Sequence, residues 1–170
     1  DAELAAWLDA SAAPIVITAG SANLHGRAFY AASIEACARL GRPALLVTTN
    51  RDLLPDTLPE GVRHEHYVPF SHILPRAALL VSHGGIGTTA QGLAAGVPQL
   101  VRPLAFDQFD NVSRLMDLGV GAGLPARKYN AKRAAHLLEG LLSSSDVQQA
   151  CARAKAQMQG PESVLVPASA

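Results

Sequence analysis

Four short apolar runs constrain this chain more than anything else in it. They are "PIVIT" (14–18), "PALLVTT" (43–49), "AALLVS" (77–82) and "PQLVRP" (98–103). A strand with one face in water alternates apolar and polar residues, whereas an uninterrupted apolar run belongs to a strand covered on both faces. A weaker strand is predicted at "VRHEHYV" (62–68) and a short sixth at "GVGAGL" (119–124). Between these runs the apolar period becomes helical. Leu4, Trp7 and Leu8 form one such stripe, and Phe29, Ser33, Ala36, Cys37 and Leu40 a second that Gly41 would end as a C′ glycine. Helices are also predicted from Ile86 to Ala95, stopped by Gly96, and over 108–117. Leu137, Leu138, Leu141 and Leu142 mark another, and Val147, Ala150, Cys151, Ala154 and Met158 the last, before Gly160 and Pro161. The Ser143–Ser145 run reads as loop plus helix cap. Strands alternating with helices at this spacing make right-handed βαβ units and a parallel sheet. The predicted fold is therefore α/β, a Rossmann-like doubly wound sheet of about six strands, with a loose tail over 161–170.

The length of 170 residues suits one well-buried core. Fourteen basic residues balance fourteen acidic ones, which argues against a nucleic-acid face or a polybasic membrane patch. Any anion must then be held by local donors. No apolar run is long enough to span a membrane, and a cytoplasmic protein is expected. Cys37 and Cys151 lie far apart in helical patterns and read as small buried residues. The chain begins at Asp1, directly in a helical pattern, and is expected to be a piece of something longer.

Ligands of such sheets bind at the carboxyl ends of the strands, near the point where strand order reverses. Three loops there carry the functional candidates: "GSANLHG" (20–26), "HGGIGTT" (83–89) and "LAFDQFDN" (104–111). Gly85 to Ala90 spell G-x-G-x-x-A, but a dinucleotide fingerprint belongs on the first βα turn, not after the fourth strand. No Lys follows the glycines as a Walker loop needs, and no G-x-S-x-G elbow is present. What remains is physical. Backbone N–H groups of Gly85 to Thr88 open a helix whose dipole favours an anion; Thr88 and Thr89 add hydroxyls and His83 a ring N–H. This set suits a diphosphate; the alternative is a tight turn with an ordinary cap. His64 and His66 alternate on one face, but with no third ligand in view they read as an edge-strand pair, and no metal site is expected.

"SHGGIGTTAQGLAAGVPQLVRPLAFDQFDN" (82–111) closely resembles the donor-binding signature of UDP-glycosyltransferase-type enzymes, nearest to bacterial rhamnosyltransferases and the sterol and antibiotic glycosyltransferases. "PIVITAGSA" (14–22) and "HYVPFSHILPRAALLVSHGG" (66–85) extend the likeness, which covers roughly residues 1 to 158. The resemblance implies one half of a GT-B fold: a C-terminal, nucleotide-sugar-binding domain over residues 1–160, without the N-terminal acceptor domain that would be its partner. Carried over position by position, it puts His83, Gly85, Gly87, Thr88 and Thr89 on the donor phosphates, with Gly20 and Ser21 at a Gly-Ser turn beside them. Asp107 and Gln108 would bind sugar hydroxyls. Tyr67 would stack on the base, Val68 would pair with it through backbone atoms, and Phe70 stands near the ribose where many relatives carry Gln. Structural alternatives stand beside three of these: Asp107 and Ser21 as helix caps, and Tyr67 as a packed strand aromatic.

The implied reaction is transfer of a hexosyl group from a UDP- or dTDP-sugar to an acceptor hydroxyl, with no cofactor or metal. The general base would lie in the N-terminal domain, so the fragment is expected to bind donor and to transfer little or nothing. Two other readings are another GT-B enzyme, such as a nucleotide-sugar 2-epimerase or a MurG-like transferase, and a non-catalytic nucleotide-sugar-binding module. The Asp107–Gln108 pair followed by Asn111 favours the transferase.

Overall fold

The apolar runs form the sheet as anticipated. A computed structural model describes residues 2–20 and 26–159. Its strands are β1 (Ile15–Ile17), β2 (Ala44–Val47), β3 (Val62–Glu65), β4 (Leu79–Ser82), β5 (Gln99–Val101) and β6 (Gly121–Gly123). They lie in the order β3-β2-β1-β4-β5-β6, and every pairing is parallel. The helices are α1 (Ala2–Ala10), α2 (Arg27–Arg39), α3 (Phe70–Ile73), α4 (Ile86–Ala95), α5 (Gln108–Asp117), α6 (Ala131–Ser143) and α7 (Ser145–Gln159).

Successive strand residues point to opposite faces, and two cores divide accordingly. Ile15, Ile17, Leu46, Leu79, Val81 and Leu100 pack under α2 and α6. Val16, Leu45, Val47 and Leu80 pack with Leu4 and Leu8 of α1 and Ile73 of α3. Val101 continues the second face beneath Leu115 of α5 and Cys151 of α7. The doubly buried strands are thus apolar at nearly every position, Ser82 and Gln99 excepted, because each has helices on both sides.

Helix ends follow the turn chemistry. Gly96 takes φ +73° and its N–H donates to the carbonyls of Gly92 and Leu93, closing α4. Gly41 does the same service after α2 at φ +60°. The Ser144 hydroxyl accepts from Val147 N–H at 3.3 Å, so the serine run does cap α7. Cys37 and Cys151 are free and buried, and burial pushes their thiols up to about 12 and about 11.

The structure departs from the sequence reading in one region. The strand expected over 62–68 stops at Glu65, where Arg63 and Glu65 form an ion pair at 2.6 Å. β3 is an edge strand, only half-buried along its length, so its apolar signal is weak. A four-residue helix, α3, follows behind Pro69. Four residues are too few for a helical period to be visible. The tail over 161–170 lies outside the described residues.

Candidate functional site

Strand order reverses between β1 and β4, and the crevice above their carboxyl ends is where a doubly wound sheet binds ligands. The residue that fills the floor of this crevice is His83, one position past β4. Its ring lies against two glycines from two loops. A Cβ on Gly20 would sit 2.5 Å from His83 Cε1, and one on Gly85 2.6 Å from Nε2. Gly20 also holds φ +81°, a conformation most side chains resist. The glycines therefore let backbone close on an imidazole from both sides.

Gly84 has a different task. At φ +85° it swings the chain off β4, and a Cβ there would meet Val101 Cγ1 at 2.5 Å. Ser82 Oγ accepts its N–H at 3.1 Å, a local side-chain turn of the kind that competes with continued strand. Gly85 then caps α4 without a side-chain bond, and the first helical bond runs from Thr89 N–H to Gly85 O at 3.0 Å. The N–H groups of Ile86, Gly87 and Thr88 precede that bond and face out of the helix start. Space around Gly87 is open: nothing lies within 4 Å of where its Cβ would be.

The third loop is tied to the second by Asn111. Its buried Nδ2 donates to Gly84 O at 2.9 Å and to Asp107 Oδ2 at 3.0 Å. Asp107 occupies the position before α5 yet makes no capping bond, so its carboxylate is engaged by Asn111 and the cap alternative does not hold. Gln108 turns its Oε1 back onto the loop, accepting N–H from Leu104 at 2.7 Å and Ala105 at 3.2 Å. Phe106, between them in sequence, holds φ +56° and is 91% exposed.

Burial lowers the His83 pKa, while the nearby Asp107 carboxylate raises it to a smaller extent. The net direction is down, so the ring is neutral at pH 7. Its Nδ1 is buried without a hydrogen-bond partner.

The remaining anticipated residues are placed unevenly. Gly20, His83, Gly85, Gly87 and Thr88 come together around the crevice, with Asp107 joined to them through Asn111 and Gln108 folded back on its own loop. Thr89 does not join them. It is only 4% exposed, its hydroxyl is buried without a partner, and its carbonyl accepts from Gln99 Nε2 at 3.0 Å. One turn into the helix, its side chain faces the sheet and not the opening. Ser21 lies outside the described residues. Tyr67 is 73% exposed, which removes the packed-aromatic alternative and leaves its ring free to stack. Val68 and Phe70 pack partly against the core around Leu4 and Ile73; for Phe70 this accounts for the side chain without a ligand. His64 donates to or accepts from no second histidine; its Nε2 bonds the Thr48 carbonyl at 2.9 Å, and His66 is exposed past the strand.

Sequence reasoning passed over Gly84 and Arg102 and gave Asn111 no contact. The glycine spacing already contained Gly84, but only the Val101 contact gives it a reason.

Comparison with known proteins agrees with this architecture. Residues 35–164 match the family described as "Erythromycin biosynthesis protein CIII-like, C-terminal domain". The chain is 31% identical over 147 residues to oleandomycin glycosyltransferase of Streptomyces antibioticus, covering 85% of this chain and 34% of that protein. It is 32% identical over 132 residues to aclacinomycin-T 2-deoxy-L-fucose transferase of Streptomyces galilaeus, covering 76% and 30%. Among solved structures, spinosyn rhamnosyltransferase SpnG complexed with thymidine diphosphate superposes with a TM-score of 0.81 at 28% identity, over 90% of this chain and 44% of that one. The chain spans about a third of the length of the curated relatives it matches. No helix among the described residues is long and apolar enough to cross a membrane. By its family match, its relatives and its fold, the chain belongs to the erythromycin biosynthesis protein CIII-like C-terminal domains, a family of glycosyltransferase domains.

Proposed function

We propose that this chain is the donor-binding half of a hexosyltransferase and holds the diphosphate of a UDP- or dTDP-sugar in the crevice between β1 and β4. One observation carries the reading. Gly20 and Gly85 close on the His83 ring, and Asn111 ties the Asp107 loop to Gly84, all beside the start of α4, whose first N–H groups have no partner within the helix. That arrangement aims backbone donors and a helix dipole at one open point, as anion binding needs. The thymidine diphosphate in the SpnG complex is a ligand of the same chemistry on a similar fold.

In this reading the N–H groups of Ile86, Gly87 and Thr88 and the Thr88 hydroxyl receive the phosphates. His83, neutral and packed between two glycines, donates from its ring. Asp107 and the Gln108 amide nitrogen lie on the sugar side, and Tyr67 offers its exposed ring to the base. As the glycosidic bond to the diphosphate breaks, negative charge grows on the leaving oxygen. Donors fixed in advance stabilise that charge without reorganising. No metal is invoked. The acceptor hydroxyl would be deprotonated by a general base of an N-terminal domain, so this chain alone binds donor and transfers no sugar.

A thermal-shift titration tests the reading. A ligand at a hundred times its dissociation constant adds about 2.7 kcal/mol, or roughly 5–10 °C for a two-state domain of this size. UDP or dTDP should raise the midpoint, UMP less and NAD not at all. A shift with NAD alone overturns the diphosphate assignment.

A further inference from the structure

One cation at the carboxyl edge of the sheet, Arg102, has no ion pair among the described residues. Arg102 follows β5 directly, and its N–H donates to Ser82 O at 2.8 Å. The register pairs Ser82 with Val101. His83 and Arg102 are the residues that follow these two strands, so both leave the sheet at the same carboxyl edge. The His83 ring meets Gly20, and on the α2 face the Arg102 guanidinium lies 5.5 Å from the Phe29 ring centroid and 5.9 Å from that of Tyr129.

This guanidinium is half-buried, and its Nε is fully buried without a hydrogen-bond partner. None of the ion pairs among the described residues includes it. Stacking on two rings steadies a cation but satisfies none of its five N–H donors. A charge drawn part-way out of water and left uncompensated is costly, and Arg side chains accept that situation where a planar, doubly bonded anion completes them. The rings are themselves held firm: Phe29 is buried, and the partly buried Tyr129 shares a 2.8 Å hydrogen bond between its hydroxyl and Ser33 Oγ. The fork is thus pre-set where the chain leaves β5, next to the strand that leads to His83, in a chain with no net charge to draw an anion otherwise.

We propose that Arg102 is a donor-binding residue, its guanidinium pairing with the diphosphate of the nucleotide sugar next to His83. This rests on the donor-binding reading above and adds to it a full positive charge that the other residues assigned to the phosphates lack.

Calorimetric titration of the 170-residue chain and its Arg102→Met and Arg102→Lys variants with dTDP, UDP and dTMP tests this. A charge-assisted pair is worth about 1.5–3 kcal/mol, so Arg102→Met should weaken dTDP and UDP binding by about tenfold to a hundredfold. The loss for dTMP should be smaller, and Lys should restore binding only in part because it lacks the fork. If the unaltered chain binds dTDP and Arg102→Met binds it equally well, the Arg102 assignment is wrong and the donor site stands. If the unaltered chain binds none of the three, the donor-binding reading fails and takes this one with it. Should the Met variant not fold by circular dichroism, the Lys variant decides alone: a loss of at least threefold supports the pairing, and unchanged affinity overturns it.

Discussion

His83 is a neutral ring wedged between two glycine backbones, and its pKa direction has a consequence for stability. Burial lowers the folded value, so between the folded and unfolded pKa values the unfolded chain binds more protons. Stability then rises with pH in that window. The contribution is fully present above the unfolded value, near 6.5, and is lost as pH falls through the folded one. The midpoint of the native chain should therefore drop on acidification below that value, and His83→Gln should flatten this part of the profile. A second expectation concerns Gly84, whose φ of +85° and 2.5 Å approach to Val101 leave no room for a methyl group. Gly84→Ala should cost about 1–3 kcal/mol from backbone strain and overpacking, read by denaturant melts, whereas Gly87→Ala meets open space and should lose much less. At this scale the sequence carried residue types well and contacts poorly. "HGG" announces a tight, side-chain-poor turn, but nothing in it says that one glycine yields to a histidine of its own loop and another to a valine of the next strand.

Among the elements, specific polar ties hold the strand ends: Tyr30 fixes the end of β1, and Asn111 joins the loops after β4 and β5. Tyr30 of α2 reaches back to the end of β1: its hydroxyl accepts the Ala19 N–H at 2.9 Å and donates to Val47 O at 3.4 Å. Tyr30→Phe leaves that buried N–H unpaired and should destabilise by about 1–3 kcal/mol, with a weaker nucleotide response because Gly20 is the next residue. Asn111 performs the same office between β4 and α5. Asn111→Leu should lower the melting midpoint and reduce dTDP affinity together, since Gly84 O and Asp107 both lose their donor. A fall in stability with unchanged affinity would show that the two loops need no tie to bind. Two helices were legible for different reasons, α4 because Gly96 stops it and α5 because its apolar stripe is strong, and both start and end where the sequence places them. The region after β3 was not, because an edge strand loses its apolar pattern and a one-turn helix never acquires one.

For the whole molecule, sheet order is what converts scattered motifs into one site. Continuous apolar strands required a parallel sheet with helices on both faces, and the observed order places the reversal between β1 and β4. The carboxyl-edge location of the three loops was therefore readable in advance. The inward turn of Thr89 and the unpaired Arg102 were not, since both depend on which face of a helix or strand a given position meets. The domain spans about a third of its curated relatives, and on the present account it should bind nucleoside diphosphate yet transfer no sugar by itself. The most direct test of the central claim is an amide NMR titration of nitrogen-15-labelled chain with dTDP. The account predicts the largest shifts at the Ile86, Gly87 and Thr88 amides, with Gly20 and His83 following at the same ligand concentration. Shifts concentrated elsewhere, for instance in the groove lined by Asn130, Arg133 and His136, with α4 unmoved, would contradict it.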